Sequence, residues 1–226
     1  MRANALPTPR AVVLDLDGTL VDTVGLRIDA WLQTFVEAGI PADRAALGPL
    51  IGSDGRQLAR TVCRTAGLEI DDDRAERIDA RSGAIYSQLA TDPRPLPGAI
   101  DFLDALDAAR IPWAIGTSSR REQVGSSVAA LGRARPPRIV DGSAVQLAKP
   151  HPDLLLAAAK ALDTDPASCW CIGDSTWDIR AALSAGMAAI CITAGSAVSA
   201  DQLRDAGASL VLPTMADLIP LLPQNS

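Results

Sequence analysis

The amino-acid sequence predicts an α/β fold, a doubly wound parallel sheet with an inserted α-helical unit, and three observations carry that prediction. Six short apolar runs read as strands, helical patterns lie between consecutive runs, and residues 22–92 hold no strand pattern at all. A chain of 226 residues suits one large domain or one domain with a modest insertion, and 48% hydrophobic content with only 3% aromatic residues makes its core aliphatic.

The first run, Ala11-Val12-Val13-Leu14, is a buried strand stopped by the acids and glycine of Asp15-Leu16-Asp17-Gly18-Thr19. Runs at 111–116, 138–140, 169–173, 188–193 and 209–212 are strands by the same pattern, and helices are expected at 100–109, 120–131, 153–162, 176–185 and 199–206. Such alternation builds a parallel sheet covered by helices on both faces. Within 22–92, Ile28, Trp31, Leu32 and Phe35 recur at i, i+3, i+4, i+7, the buried stripe of a first helix, while Thr23 and Arg27 share another face. A further helix is expected over 54–66, and another starts at Asp71, Asp72 and Asp73, acids that suit a helix N-terminus. Asp92-Pro93-Arg94-Pro95-Leu96-Pro97-Gly98 cannot continue a helix and returns the chain to the sheet. The expected division is an α/β core of residues 1–21 and 93–226 with a helical unit at 22–92.

Lys+Arg 21 against Asp+Glu 27 gives a net charge of −6, and the pI of about 4.8 argues against nucleic acid or an anionic membrane as partner. Cys63, Cys169, Cys171 and Cys191 are too few for a disulfide scaffold, and three of them fall in apolar runs where a reduced thiol acts as a small hydrophobe. His151 is the single histidine, which disfavours a zinc site and a histidine-activated nucleophile. With no apolar leader and no membrane span expected, the default location is a reducing cytoplasm.

Four segments end in polar residues just where an expected strand gives out: Asp15-x-Asp17-Gly18-Thr19, Gly116-Thr117-Ser118-Ser119, Ala148-Lys149-Pro150, and Gly173-Asp174-Ser175-Thr176-Trp177-Asp178. In an open parallel sheet the carboxyl ends of strands are where ligands bind, so these segments are expected to converge. Four carboxylates in one pocket, at about 4 kcal/mol for each like-charged pair about 4 Å apart, call for a cation. Clustered aspartates without His or Cys select a hard one, Mg²⁺ above all. Lys149 adds a fixed positive charge, and Ser119 with Glu122 matches a capping box whose helix N-terminus would face a phosphate.

These motifs, in this order, resemble the haloacid dehalogenase superfamily, in the subgroup with a helical cap inserted after the first strand that includes phosphoglycolate phosphatases and sugar phosphomutases. The resemblance spans Ala11 to Asp178 and implies a Rossmann-like core with a cap at 22–92. It implies that Asp15 is the nucleophile that takes the phosphoryl group as an aspartyl-phosphate, and that Asp17 is the general acid and base, with a pKa raised by its acidic neighbours. It places Mg²⁺ on Asp15, the backbone carbonyl of Asp17 and Asp174, with Asp178 supporting the metal directly or through Lys149. It gives the transferring phosphate to Thr117 and Lys149, with Ser118 beside them.

Within the superfamily, Asp17 argues against dehalogenation, since dehalogenases lack an acid there. Phosphonatases need a cap lysine, and the lysines here, Lys149 and Lys160, both lie outside 22–92. The phosphomutases carry a histidine where Arg27 aligns. What remains is hydrolysis of a small phosphorylated metabolite by a monomer or homodimer, with a phosphomutase and a noncatalytic phosphate-binding protein as the alternatives. Receiver-type phosphate acceptors are shorter and order these residues differently, and Asp15 and Asp17 are both retained. Arg27 and Arg56 are the expected cap contacts to substrate, an arginine at 56 suiting a carboxylate or second anion. Trp177 packs or walls the pocket.

Overall fold

The computed structural model describes residues 6–223. The chain runs through β1 (Ala11–Leu14), α1 (Val24–Glu37), α2 (Arg44–Leu47), α3 (Gly55–Thr65), α4 (Asp72–Leu89), α5 (Ala99–Ala108), β2 (Trp113–Gly116) and α6 (Gly125–Ala130). It continues through β3 (Arg138–Val140), α7 (Asp153–Ala161), β4 (Cys169–Gly173), α8 (Thr176–Ala185), β5 (Ala188–Ile192), α9 (Ala200–Asp205) and β6 (Leu210–Leu212). The strands form one parallel sheet in the order β3-β2-β1-β4-β5-β6. Strand order reverses between β1 and β4, and the crevice outside their carboxyl ends is the binding position of a doubly wound sheet.

Successive strand residues point to opposite faces, and each face has its own core. Val12 and Leu14 pack with Trp170, Ile172 and Ile190 beneath Phe102 and Leu103 of α5. Ala11 and Val13 pack with Cys169, Cys171 and Cys191 beneath Leu154 of α7 and Ile179 of α8. Cys169 and Cys171 therefore share a face as their spacing implies, and the four cysteines are buried and free.

One helix departs from expectation. The chain makes a short 3-10 turn at Arg121–Gln123, and α6 begins only at Gly125. No side chain caps either piece, so the capping box of Ser119 and Glu122 does not form. The Ser119 hydroxyl instead donates to the Asp17 carboxylate at 2.7 Å, a charge-assisted bond stronger than a bond to a neutral backbone partner.

The segment between β1 and α5 is helical and carries its own apolar cluster. Ile28, Trp31 and Phe35 of α1 are buried against Leu58, Val62 and Ile78, and Leu32 is half-buried at the margin. The Trp31 and Phe35 rings stack at 5.5 Å. Chain entry and exit run side by side: Asp22 N donates to Arg94 O at 2.8 Å and Leu96 N to Leu20 O at 2.9 Å. Polar contacts join this segment to the sheet side, among them Trp177 Nε1 to Pro49 O at 2.8 Å and Ser118 Oγ to Gly52 O at 3.1 Å. Among the described residues no helix is long and apolar enough to cross a membrane.

Candidate active site

Asp15 follows β1, Thr117 follows β2, Asp174 follows β4 and Asp178 lies in the first turn of α8, so three strand ends and one helix start deliver four of the expected residues to one place. Lys149 enters from the loop before α7. Its ammonium is buried, donates to Asp15 Oδ1 and lies 2.7 Å from Asp178 Oδ1. Asp178 is fixed from its other oxygen, which accepts from Ser175 Oγ at 2.6 Å and Ser175 N at 3.1 Å in the capping box that starts α8. Thr19 Oγ1 donates to Asp174 Oδ1 at 3.0 Å. The carboxylates of Asp15, Asp174 and Asp178 bring oxygens within 4.8 Å of one another.

Three buried carboxylates share one lysine, and their proton affinities record the excess negative charge. Burial pushes Asp15 up to about 7, with Lys149 opposing and Asp178 reinforcing the shift. Burial, then the charges of Asp178 and Asp15, push Asp174 well above the ordinary carboxylate range. Oxygen donors alone, in a buried cluster short of positive charge, fit a hard divalent cation such as Mg²⁺.

Gly18 lets the chain turn between the two aspartates of the first motif. Its φ is +81°, and a Cβ there would come within 2.5 Å of both Asp174 Oδ2 and the Val24 side chain. Gly18→Ala is therefore expected to cost about 1–3 kcal/mol of stability through backbone strain and to displace the Asp174 carboxylate. Thermal unfolding and phosphate release from a chromogenic ester, measured side by side, check it: both should fall.

Asp17 belongs to a different set of partners. Thr23 Oγ1 at 2.6 Å and Tyr86 Oη at 3.2 Å donate to Oδ1, while Arg27 Nη2 at 2.9 Å and Ser119 Oγ at 2.7 Å donate to Oδ2. Arg27 is itself anchored, with Nη1 on Gln123 Oε1 at 2.9 Å and its guanidinium 3.4 Å above the Tyr86 ring. The expected rise in the Asp17 pKa is corrected here. Burial pushes it up, but Arg27 and the hydrogen bonds from Thr23 and Ser119 outweigh burial and hold it below the ordinary value.

Asp15, Asp17, Arg27, Thr117 and Ser118 line one small cavity of about 60 Å³, closed on its far side by Trp31, Leu58 and Asp79 of the helical segment. A far larger recess, about 690 Å³, opens among Trp113, Arg133 and Arg138 at the other end of the sheet. Volume alone therefore does not mark the site. Arg56 does not line the small cavity. It pairs with Asp54 at 2.9 Å and lines two neighbouring recesses instead. Trp177 lies outside the cavity too, with Arg180 beside its ring, and holds the helical segment through Pro49. His151 is exposed beside Arg56.

Sequence reasoning missed Tyr86, Gln123 and Asp79. Tyr86 reaches Asp17 across 69 positions of sequence, and no local pattern announces such a contact. The i, i+4 pair Thr23 and Arg27 was the legible signal, since both side chains end on Asp17.

Comparison with known proteins agrees with this geometry. The family described as haloacid dehalogenase-like hydrolase matches residues 9–186. The chain is 30% identical over 215 residues to a beta-phosphoglucomutase of Bacillus subtilis, covering 92% of this chain and 91% of that protein. It is 30% identical over 217 residues to a phosphoglycolate phosphatase of Rhodospirillum rubrum, covering 93% and 89%. A solved hydrolase structure from Pseudomonas syringae superposes with a TM-score of 0.88 at 31% identity, covering 93% of this chain and 96% of that one. With a parallel sheet in this order and these carboxylates at its strand ends, the chain belongs to the haloacid dehalogenase-like hydrolase family.

Proposed function

We propose that the protein is a Mg²⁺-dependent phosphatase that hydrolyses a small phosphate monoester through a phosphoryl group carried on Asp15. One observation carries this reading: Asp15, oriented by Lys149, and Asp17, oriented by Arg27, line the same small cavity. Asp15 Oδ attacks phosphorus, the bond to the leaving oxygen breaks, and Asp17 supplies the proton that oxygen needs. Water then attacks phosphorus, Asp17 takes its proton, and the bond to Asp15 breaks to release phosphate. Held ionised as it is, Asp17 is set to accept that proton. The arriving phosphate raises its proton affinity, as any nearby like charge does, and Asp17 takes up a proton from water or from the substrate's monoanion before the first step. Lys149 and the Thr117 hydroxyl stabilise the transferring group.

Asp15, the Asp17 carbonyl and Asp174 would hold the metal, with Asp178 supporting it through Lys149. Bound there, Mg²⁺ supplies positive charge that orients the phosphate oxygens and offsets the carboxylates. Residues 22–92 act as a cap that opens to admit substrate and closes through the polar contacts described.

A histidine at the position of Arg27, as in the resembling phosphomutases, exchanges protons near neutral pH. A guanidinium does not. With Arg27 committed to Asp17, hydrolysis is favoured over transfer between two hydroxyls of a sugar. Arg27→Ala is expected to lower kcat about 10²-fold by releasing Asp17 from its position, with KM changed less. The direct test is phosphate release from a chromogenic ester. Release with Mg²⁺ that stops with chelator supports the reading, and release unaffected by chelator contradicts it. Isomerisation of a sugar phosphate without phosphate release would establish the mutase instead.

A further inference from the structure

We infer that the alcohol this cavity takes as leaving group is a small uncharged polyol, not a carboxylate, and that Asp79 selects it. The inference rests on the phosphatase reading above.

From the helical segment, Trp31, Ile51 and Leu58 line the cavity with apolar surface, and Arg27 and Asp79 bring charge. A substrate carboxylate needs a cation whose charge is not already matched, and the cation that lines this cavity is ion-paired with Asp17. Both terminal nitrogens of Arg27 are engaged, by Asp17, Ser119 and Gln123, and only its buried Nε is left without a partner among the described residues. Arg56, the residue expected to receive an anion, lies outside. Arg120 also lies outside and is divided between two carboxylates, Glu76 at 2.7 Å and Asp79 at 2.8 Å, so this trio keeps a net negative charge.

Asp79 has one oxygen to spare. Oδ2 accepts from Arg120, whereas Oδ1 accepts no hydrogen bond among the described residues and is not sealed from solvent. Oδ1 lies over Gly55, where a Cβ would come within 1.9 Å of it, and Gly55 and Asp79 line both this cavity and the adjoining recess that holds Arg56 and Arg120. Glycine at the start of α3 thus lets a carboxylate oxygen stand beside the leaving-group space with its acceptor open. A hydroxyl donates to such an oxygen. A carboxylate in the same place meets two negative charges, Asp79 and Asp17, against the single guanidinium of Arg27 that already pairs Asp17. The cavity volume of about 60 Å³ keeps the alcohol small.

Two esters of the same length separate the possibilities, glycerol 3-phosphate and 3-phosphoglycerate, which differ in a hydroxymethyl against a carboxylate. With Mg²⁺, kcat/KM should favour the glycerol ester by about tenfold or more, equivalent to about 1.4 kcal/mol. Asp79→Asn keeps the shape and removes the charge, so the ratio should move toward one, chiefly through a lower KM for the carboxylate ester. Gly55→Ala moves Asp79 without changing charge and should lower kcat/KM for the glycerol ester more than for p-nitrophenyl phosphate. A wild-type ratio at or below one overturns the inference whichever variants fold, and so does an unchanged ratio in a folded Asp79→Asn protein. p-Nitrophenyl phosphate, run in parallel, separates the two levels. If it is hydrolysed while the ratio is wrong, the selectivity inference alone fails; if nothing is hydrolysed, the phosphatase reading fails and takes the inference with it.

Discussion

Asp15→Asn is expected to abolish phosphate release, with kcat lower by about 10⁴-fold or more, while the protein stays folded. The substitution keeps side-chain volume and planarity at a buried position, so the packing around β1 is undisturbed. What it removes is the carboxylate oxygen that Lys149 holds toward the cavity. An amide nitrogen or oxygen is a far weaker nucleophile toward phosphorus, and no neighbour can replace it. Asp174 is tied to Thr19 and Asp178 to Ser175, and neither lines the cavity. Steady-state turnover with Mg²⁺, paired with a melting curve, checks both halves: turnover lost, melting temperature kept.

Lys149→Met is expected to lose turnover and stability together. Lys149 is 1% exposed and is the cation between Asp15 and Asp178. Methionine of similar length fills the space, but the carboxylates it leaves lose their partner inside the protein. Removing one partner of a buried ion pair costs about 3–5 kcal/mol. The pH dependence follows from the signs already present. Asp15 is raised to about 7 and Asp174 well above its ordinary value, so at these two groups the folded protein binds more protons than the unfolded chain. Stability therefore falls as pH rises from the ordinary carboxylate value of 3.8 toward 7, and removing Lys149 steepens that fall. Unfolding by urea at pH 5 and pH 8 measures it: the deficit of the variant should be larger at pH 8. Mg²⁺ should recover more stability in the variant than in the parent, because a bound cation replaces part of the missing charge.

Much of the fold was legible because its signals are local. Each strand is an apolar run broken by Gly, Pro or Asp, as at Leu14-Asp15 and Gly173-Asp174, and the motif residues follow those breaks directly. The strand-end position of Asp15, Thr117 and Asp174 then follows from topology. The rest depended on contacts between distant segments. Arg56 follows a glycine in a loop of suggestive composition, yet which way it faces is set by the start of α3 and by Asp54. Asp17 looked like an acid among acids. Its surroundings are instead Arg27, Thr23, Ser119 and Tyr86, drawn from α1, its leading residue, the β2 loop and α4. Ser119 carries a capping pattern that a stronger charged partner overrides.

The most direct test of the central claim uses Asp17→Asn with 2,4-dinitrophenyl phosphate and Mg²⁺. This ester expels a leaving group that needs no proton, so the variant retains the first step and loses the proton acceptor for the second. The account predicts a burst of one equivalent of dinitrophenolate per protein, followed by slow turnover, with the phosphoryl group located on Asp15 by peptide mass spectrometry after an acid quench. No burst and no phosphoryl group on Asp15, with steady release of phosphate throughout, would contradict it, since water would then attack the ester directly.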